Sequence, residues 1–439
     1  MVGFKTVFLN DICDFEKGST GLAKAIPGEY PLVTTGADRR TCESYQFDTK
    51  AVCIPLVSST GHGHASIKNV HYQEGKFALG TILVALTAKK QDVLDIQFLH
   101  LYLSQLKDTI VVPLMSGAAN VALSVTKMKN IEIPLPSIGR QKEIVLQFKS
   151  IVSAENSLKV ELTHQQTLLK KLRQQTLQEA IEGKLTKDWR AENPDIEPAN
   201  KLLKRIQAEK IQLIKDKKIR KQKPLPAIRE DEKSFKLPEG WVWCRVCDIA
   251  QQITSGSRDW AKYYADSGAI FVTMGNLSKE SYQLRMDKVR YVRPPQNSEG
   301  VRTKLEEGDL LISITGDVGH LGVIPKGFGD AYINQHTCML RYMSECQNRY
   351  SLELMRSPLA KKQYDAPQRG IKNSFRLGDV GEMIIPFPPL PEQKAIASKV
   401  EKLLTLCDQL ETQITNNQTH AEQLMQAVLK EAFSQPEAA

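Results

Sequence analysis

Few residues in this sequence have the types and spacing that metal chemistry requires. Cys244 and Cys247 form a CxxC pair without the second pair that would complete a zinc site, so we expect both in a half-buried strand. His62 and His64 form an H-x-H pair near His71, with no acidic or thiol ligand at helical spacing. We therefore expect a polar loop there and predict no metal site.

The motifs of nucleotide and cofactor chemistry are missing from the sequence. It contains no G-x-x-x-x-G-K-[ST] phosphate loop and no G-x-G-x-x-G after a predicted strand. Gly316, Gly319 and Gly322 have a spacing that suits a turn. The Pro-Pro pairs at 294–295 and 388–389 lack the preceding Asp, Asn or Ser that an amino-methyltransferase offers its target base. The sequence predicts a protein that binds rather than catalyses, and no cofactor held by this chain.

The positive charge of the chain is concentrated in one segment. The 439 residues, which suggest about three structural units, contain 59 Lys and Arg against 50 Asp and Glu, a net charge of +9. Residues 200–223 contain ten basic and two acidic residues, so this segment alone carries 10 − 2 = +8. Such a segment could attract phosphate, form a solvated helix, or dock an acidic partner.

Export and membrane insertion are not expected from the composition. Eight cysteines are too few for a disulfide framework, and no apolar run approaches the roughly 20 residues of a membrane-spanning helix. The first fifteen residues lack the apolar core of a signal peptide. We expect a cytoplasmic protein with reduced thiols and no membrane partner.

Internal duplication organises the chain. The stretch IEIPLPSIGRQKEI at residues 131–144 matches MIIPFPPLPEQKAI at 383–396, with Gln141 on Gln393 and Lys142 on Lys394. At the front of each half, residues 3–4 match 240–241 and residues 11–12 match 248–249. The pattern predicts two copies of one unit with variable interiors.

A long heptad-patterned helix is predicted after each Pro-rich stretch. Apolar positions recur in alternating steps of four and three from Ile144 to Thr176 and again from Ile396 to Val428, which is typical of a coiled coil. Because the first helix leads into the second copy and the second helix leaves it, the pair should run antiparallel. Full overlap predicts that Leu162 meets Leu410, that Leu158 meets Ile414 and that Glu155 faces Asn417.

The two globular halves have the sequence pattern of mixed strands and helices. In the first half we predict strands at 30–34, 51–57, 80–86 and 131–134 and a helix at 96–106. In the second half we predict strands at 269–273, 309–314, 337–342 and 383–386 and a helix at 349–363. Helices do not alternate regularly with strands, so the predicted fold class is α/β in the α+β sense, not a doubly wound sheet.

Two variable globular units, each followed by a Pro-rich stretch, a Gln-Lys dipeptide and a long heptad helix, resemble the specificity (S) subunit of type I restriction–modification enzymes. The stretches IPLPSIGRQKEI at 133–144, FPPLPEQKAI at 387–396 and GKLTKDWRAENPD at 183–195 resemble segments of such subunits. The turns around Ser59-Thr60-Gly61 and Ile314-Thr315-Gly316 do so as well. One departure is Gly139-Arg140, where the second copy has Pro391-Glu392.

The resemblance implies a pseudo-two-fold arrangement. Target-recognition domains at 1–138 and 235–390 would each read one half of a split DNA sequence, and coiled-coil helices at 139–183 and 391–434 would separate them. Residues 184–234 would form a basic helical linker. The partners implied are double-stranded DNA, two methyltransferase subunits and restriction subunits, with S-adenosylmethionine and ATP bound by those partners. Competing readings are a fused methyltransferase or nuclease, and a coiled-coil scaffold that binds only protein.

The residues expected to contact DNA are polar, basic and aromatic residues of the loops. Arg and Lys recognise guanine, Asn and Gln recognise adenine, and phosphate contacts set the register. In the first domain the candidates are Thr35, Arg39, Arg40, Ser59, Thr60, His62, His64, Lys68 and Asn120. In the second domain they are Ser257, Arg258, Lys262, Tyr263, Asn276, Thr315, Gln335, His336, Arg369, Lys372 and Asn373.

Overall fold

The computed structural model describes residues 4–60, 63–118, 121–221, 224–295, 303–366 and 375–434, with backbone alone for 429, 430 and 432–434. The chain divides into two compact units. Unit 1 comprises residues 1–164 and 415–439, and unit 2 comprises residues 165–414. Two long helices, α4 (Ile138–Ile181) and α11 (Leu390–Ser434), each contribute residues to both units.

The described residues of unit 1 form two four-stranded sheets and one two-stranded pair. The elements are β1 (Thr6–Phe8), α1 (Leu9–Ile12), β2 (Cys13–Lys17), β3 (Tyr30–Val33), β4 (Arg40–Cys42), β5 (Phe47–Asp48), β6 (Ala51–Pro55), β7 (His71–Gln73), β8 (Lys76–Leu79), β9 (Leu83–Ala88), α2 (Ile96–Ile110), α3 (Val125–Lys129) and β10 (Glu132–Pro134). The strand orders are β2-β9-β6-β7, β4-β3-β8-β5 and β1-β10.

Unit 2 repeats part of this sheet plan. Its described elements are α5 (Lys187–Glu192), α6 (Ala199–Lys215), β11 (Val242–Arg245), α7 (Val246–Ile249), β12 (Ala250–Ser255), β13 (Tyr264–Ala265), β14 (Ala269–Val272), β15 (Tyr291–Val292), β16 (Leu310–Ser313), β17 (Leu321–Val323), β18 (Ala331–Ile333), β19 (Thr337–Tyr342), α8 (Arg349–Arg356), α9 (Pro358–Asp365), α10 (Leu377–Glu382) and β20 (Ile384–Phe387). The strand orders are β12-β19-β16-β17, β13-β15-β14-β18 and β11-β20. The first sheet and the two-stranded pair match those of unit 1, whereas in the second sheet the parallel pair lies at an edge instead of in the middle.

The two units share their core construction. The central strands β6 and β16 are buried along their whole length, and in each unit one parallel pair, β3–β8 or β14–β18, lies in the second sheet. The predicted mixed α/β class with two duplicated globular regions and two long helices is confirmed. The predicted single helix over 349–363 is wrong: Pro358 has no N–H to donate, so α8 ends and α9 begins there, with Ser357 as its N-cap.

The repeated glutamine fastens the base of each long helix to its own unit. The side-chain amide of Gln141 donates to the Pro136 carbonyl at 2.8 Å, and that of Gln393 donates to the Pro388 carbonyl at 2.9 Å. Both glutamines are fully buried, and each accepts a hydrogen bond from the N-cap residue of an earlier helix of its unit. The donors are the backbone N–H of Asp95, which caps α2, and the side-chain amide of Asn348, which caps α8. This shared geometry explains the repeated glutamine.

The long helices are antiparallel, but their register differs from the prediction. The predicted overlap would place Arg173 opposite Lys399, whereas its guanidinium contacts Asp408 at 2.6 Å and Glu411 at 2.9 Å. Lys399 instead donates to the Leu185 carbonyl at 2.8 Å. Buried hydrogen bonds of Glu392, in the first turn of α11, fix this register. The heptad pattern alone carries no information about the register.

The seam of α11 also differs from the prediction at every second contact position. Val400, Cys407 and Ile414 are buried as predicted, but Leu404 is buried where the pattern predicts Leu403. Further along, the predicted seam positions Leu410, Asn417 and Leu424 are exposed, as is Leu158 on α4. Adjacent leucines satisfy either heptad phase, so the sequence cannot choose between them.

The basic segment of residues 200–223 begins as a helix of the unit 2 core. On α6, Ala199, Leu202 and Ile206 are buried in the same cluster as Trp241 and Val246. Lys210 donates to the Cys247 carbonyl, and its burial lowers the pKa of its ammonium group. The remaining described bases of the segment are exposed.

Candidate DNA-recognition surface

Three loops of unit 1 that contain predicted DNA contacts are joined by hydrogen bonds. The loop after β6 is bound to the loop after α2 by the Ser58 N–H, which donates to the Val121 carbonyl at 2.9 Å. The Asn69 amide donates to the Thr35 carbonyl at 3.0 Å and so ties in the loop after β3. Gly63 has a φ of +79°, and a Cβ there would lie 2.6 Å from the Ala118 carbonyl oxygen.

The middle loop closes on itself and leaves several predicted residues exposed. The Ser59 hydroxyl accepts from the Lys68 N–H at 2.9 Å, and the Thr60 hydroxyl donates to the His64 carbonyl at 3.2 Å. All four side chains are exposed, as is that of Arg40 at the start of β4. Thr35 is half-buried, and the predicted residues His62 and Asn120 lie outside the described residues.

Arg39 is bound within unit 1 instead of projecting freely. Its guanidinium donates to the Gln73 side chain at 2.9 Å and to the Tyr72 carbonyl at 3.2 Å, and it contacts Nδ1 of His71 at 3.2 Å. His71 is buried, and desolvation, reinforced by the charge of Arg39, lowers its pKa to about 4. The sequence interpretation singled out His71 as a neighbour of an H-x-H pair and missed this contact with Arg39.

In unit 2 the predicted residues near the ends of β12, β16 and β18 come together. The Gly256 N–H donates to the Asn334 carbonyl at 3.1 Å, and Ser257 pairs with Asn334. A Cβ at Gly256 would lie 1.9 Å from the Ile333 carbonyl oxygen, so this approach requires glycine. The hydroxyl of Thr315 lies 2.6 Å from Nδ1 of His336.

The amide of Gln335 continues this cluster, since its Nε2 lies 2.9 Å from Nε2 of His336. His336 is exposed, whereas Ser257, Thr315 and Gln335 are half-buried. Four of the residues singled out in the second domain therefore form one group on neighbouring strand ends. The predicted residues Arg369, Lys372 and Asn373 lie outside the described residues.

The segment after Ser257 combines exposed bases with an aromatic cluster. Trp260 is buried against Phe271 and Tyr332, with ring centroids 5.0 and 5.4 Å away. Lys262 lies over the Tyr263 ring at 5.1 Å. The exposed side chain of Arg258 forms no ion pair or hydrogen bond with another described residue, so it is available to a ligand.

Asn276, another predicted DNA contact, is buried and hydrogen-bonded on both sides of its amide. Its Oδ1 accepts from the N–H and the hydroxyl of Thr273, both at 3.0 Å. Its Nδ2 donates to the carbonyls of Arg285 at 2.8 Å and Lys288 at 3.3 Å. In this structure Asn276 therefore organises the segment that follows β14.

The described residues contain no cluster of three His, Cys, Asp or Glu side chains that could hold a metal ion. Cys244 lies buried in β11 as expected, but Cys247 lies in α7, not in the strand. Burial raises the pKa of the Cys247 thiol to about 11, so it is protonated at neutral pH. Among the described helices, none has the length and apolar character needed to cross a membrane.

Comparison with known proteins matches the duplicated plan. A family model described as the type I restriction modification DNA specificity domain matches residues 1–165 and 238–418. The Escherichia coli EcoAI specificity subunit is 32% identical over 299 residues, covering 65% of this chain and 47% of that protein. The E. coli EcoDI specificity subunit is 24% identical over 444 residues, covering 98% and 88%.

The E. coli EcoEI specificity subunit is 30% identical over 264 residues, 56% of this chain and 42% of that protein. The chain thus spans about half the length of the EcoEI and EcoAI proteins. Among solved structures, the HsdS subunit from Thermoanaerobacter tengcongensis has the same fold, with a TM-score of 0.58 at 16% identity over 98% of this chain and 96% of that one.

A chain in a structure of a type I R-M system, solved for its complex assembly and conformational transition, has a TM-score of 0.63 at 16% identity over 98% of both chains. These structures agree with the observed fold. The family model covers both duplicated regions and most of the chain. The protein therefore belongs to the family of type I restriction–modification DNA specificity subunits.

Proposed function

We propose that this chain is the non-catalytic DNA-specificity subunit of a type I restriction–modification complex. Residues 1–138 and 235–390 are the two target-recognition domains, and each binds one half of a bipartite, asymmetric DNA sequence. The observation that carries this proposal is that the equivalent sheets β2-β9-β6-β7 and β12-β19-β16-β17 present different polar loop clusters, with Ser59 and Lys68 in unit 1 and Arg258 and His336 in unit 2. Equivalent frames with unlike side chains suit the reading of two unlike half-sites.

The predicted DNA contacts divide into two roles. We assign the exposed and half-exposed loop residues to direct contact and Arg39 and Asn276 to loop positioning, because the polar groups of these two are bound within the protein. His62, Asn120, Arg369, Lys372 and Asn373 remain proposed contacts from the sequence. The contact residues supported by the geometry are Thr35, Arg40, Ser59, Thr60, His64, Lys68, Ser257, Arg258, Lys262, Tyr263, Thr315, Gln335 and His336.

The helical segments at 139–183 and 391–434 set the spacer between the half-sites and dock two methyltransferase subunits. Leu172, Leu403 and Leu410 are exposed, and each lies three positions after a buried residue of the helix seam. In an antiparallel pair these three leucines therefore lie on one face. This exposed apolar strip supports the docking of a partner subunit. Residues 184–234 connect the first helix to the second domain. Restriction subunits join this core, and S-adenosylmethionine and ATP bind to the partner subunits.

Exchange of one recognition domain tests the proposal. Residues 1–138 are replaced by the first domain of another family member, and methylated adenines are mapped in a host that carries the complete system. We expect a change in one half of the recognised sequence, with the other half and the spacer retained. A change in both halves would refute the two-reader model, and an unchanged target would favour a scaffold without DNA specificity of its own.

A further inference from the structure

We propose that unit 2 has a phosphate-binding surface outside its predicted recognition loops, with Lys288 and Arg290 contacting the sugar–phosphate backbone of duplex DNA. The inference rests on the proposed function, because it adds a contact area to one of the two recognition domains. The surface lies within residues 276–293, in the connection from β14 to β16, and unit 1 has a shorter connection, 34–50, from β3 to β6.

This segment has an excess of positive charge, part of which is free to bind a ligand. Residues 276–293 contain five bases and two acids, a balance of 5 − 2 = +3. Three of the bases are bound internally: Lys279 pairs with Asp317, Arg285 donates to the Leu277 carbonyl, and Arg293 donates to the Ser267 carbonyl at 2.9 Å.

The other two bases, Lys288 and Arg290, are exposed and form no ion pair or hydrogen bond through their side chains with any other described residue. Exposed bases whose charge is not neutralised by a described acidic residue are suited to an external anion. They are therefore the two bases of the segment that a phosphate would meet first.

The segment adjoins the recognition loop directly. The Arg293 N–H donates to the Tyr263 carbonyl at 2.9 Å, and Tyr264 pairs with Val292 across β13 and β15. The guanidinium of Arg290 lies over the Tyr264 ring at 5.8 Å, next to the position where Lys262 lies over Tyr263. Two cations thus rest on consecutive tyrosines, and a guanidinium stacked in this way keeps its N–H edge free for phosphate.

The backbone on either side of the two bases is held in place. Asn276 binds the Lys288 carbonyl through its side-chain amide, and the Phe271 N–H donates to the Arg290 carbonyl at 2.8 Å. The buried Trp260 packs beneath the same loop. Lys288 and Arg290 therefore adjoin the loop that carries Arg258 and Lys262. This position favours the backbone of the bound DNA over an acidic protein as their ligand.

Salt-dependent DNA binding tests the inference in the full chain assembled with its methyltransferase subunits. The duplexes contain either the target found by methylation mapping or a scrambled version of both half-sites. The variant is K288A/R290A, and the control K361A/K362A removes the same charge from exposed positions of α9. A further variant, R290K, keeps the charge and loses the planar guanidinium.

Each lost phosphate contact should flatten the plot of log affinity against log salt by about 0.9. We expect K288A/R290A to reduce the slope by about 1.8 on both duplexes, with the control and R290K close to wild type. Ethylation of phosphates in the half-site assigned to unit 2 should interfere with wild-type binding at contacts that the variant no longer shows.

A slope for K288A/R290A equal to that of the control would overturn the inference, as would a loss confined to the target duplex. A slope for R290K as low as that of K288A/R290A would also overturn it, because the effect would then arise from the loop and not from charge. Failure of the wild-type complex to discriminate the two duplexes would reject the proposed function instead, and the slopes on scrambled DNA would still judge the phosphate contacts.

Discussion

The indole N–H of Trp241 donates to Oε2 of Glu392 at 2.7 Å, and both side chains are buried. The other carboxylate oxygen of Glu392 accepts from Thr186 at 2.7 Å and from Arg190. The segment GKLTKDWR is thereby fixed to the first turn of α11. In unit 1 the matching position is Arg140, which pairs with Glu143 in the next turn of its own helix. Glu392 and Arg140 thus differ because only Glu392 binds the segment that follows the first long helix.

Replacing Trp241 with Phe should lower the free energy of unfolding by about 1–3 kcal/mol, because a buried carboxylate oxygen loses its donor. Urea unfolding of the full chain, followed by circular dichroism, measures the change. Trp243→Phe is the matched control, since this half-buried indole packs on Phe235 and donates no hydrogen bond to a described residue. Equal losses in the two variants would contradict the role given to the Trp241 hydrogen bond.

The observed helix register predicts which residues are energetically coupled. Arg173→Ala and Asp408→Ala should show a coupling of about 0.2–1 kcal/mol in a double-mutant cycle, as expected for a partly exposed ion pair. The effects of Glu155→Leu and Asn417→Leu on stability should be additive. The helix register shown by the Arg173–Asp408 contact does not place Glu155 opposite Asn417. The reverse pattern would restore the alignment expected from the sequence.

Stability should fall with acidification partly because of His71. The unfolded chain protonates this histidine below about pH 6.5, whereas the folded chain resists protonation until about pH 4. The contribution is therefore complete above pH 6.5 and is lost as the pH falls towards 4. His71→Gln should reduce this loss by roughly 1–3 kcal/mol, measured by urea unfolding at pH 7 and pH 4. The exposed His164, replaced in the same way, is the control, and identical pH profiles for wild type and His71→Gln would exclude the effect.

Arg258 is the exposed base best placed to read a base edge. If it binds guanine through two hydrogen bonds, Arg258→Ala should cost about 1–3 kcal/mol and relax discrimination at one position of one half-site. Arg258→Lys should keep most of the affinity and lose the discrimination, because lysine lacks the planar fork. Binding to a panel of single-base variants of the target provides the measurement. A uniform loss on every duplex would identify Arg258 as a phosphate contact.

The proposed role of the helices as a spacer predicts a change in target length. The observed register places residues 418–424 opposite 158–164, so these two heptads should be deleted together. The seam then stays in phase while the pair shortens by about 10 Å, which corresponds to roughly three base pairs. Genome-wide mapping of methylated adenines should show a spacer shortened by that amount. A functional variant that keeps the parental spacer would refute this role, and deletion from one helix alone should impair activity more.

Local patterns in the sequence were sufficient to predict much of the architecture. The matched Pro-rich stretches predicted the duplication, and runs of apolar residues predicted buried strands such as β16 and β19, because strand burial depends on short-range periodicity. Polar and glycine-rich stretches between the strands identified the loops around Ser59 and Ser257. These features depend on residues close together in the chain.

The tertiary structure decided the relationships between residues distant in the chain. It placed Arg173 against Asp408, chose Leu404 over Leu403 for the seam, and turned Arg39 and Asn276 inward to hold loops. A heptad repeat is satisfied at several offsets, and an arginine or asparagine in a loop can bind solvent, protein or DNA. The choice between these alternatives depends on which partners the folded chain brings within hydrogen-bonding distance, and no local pattern encodes that.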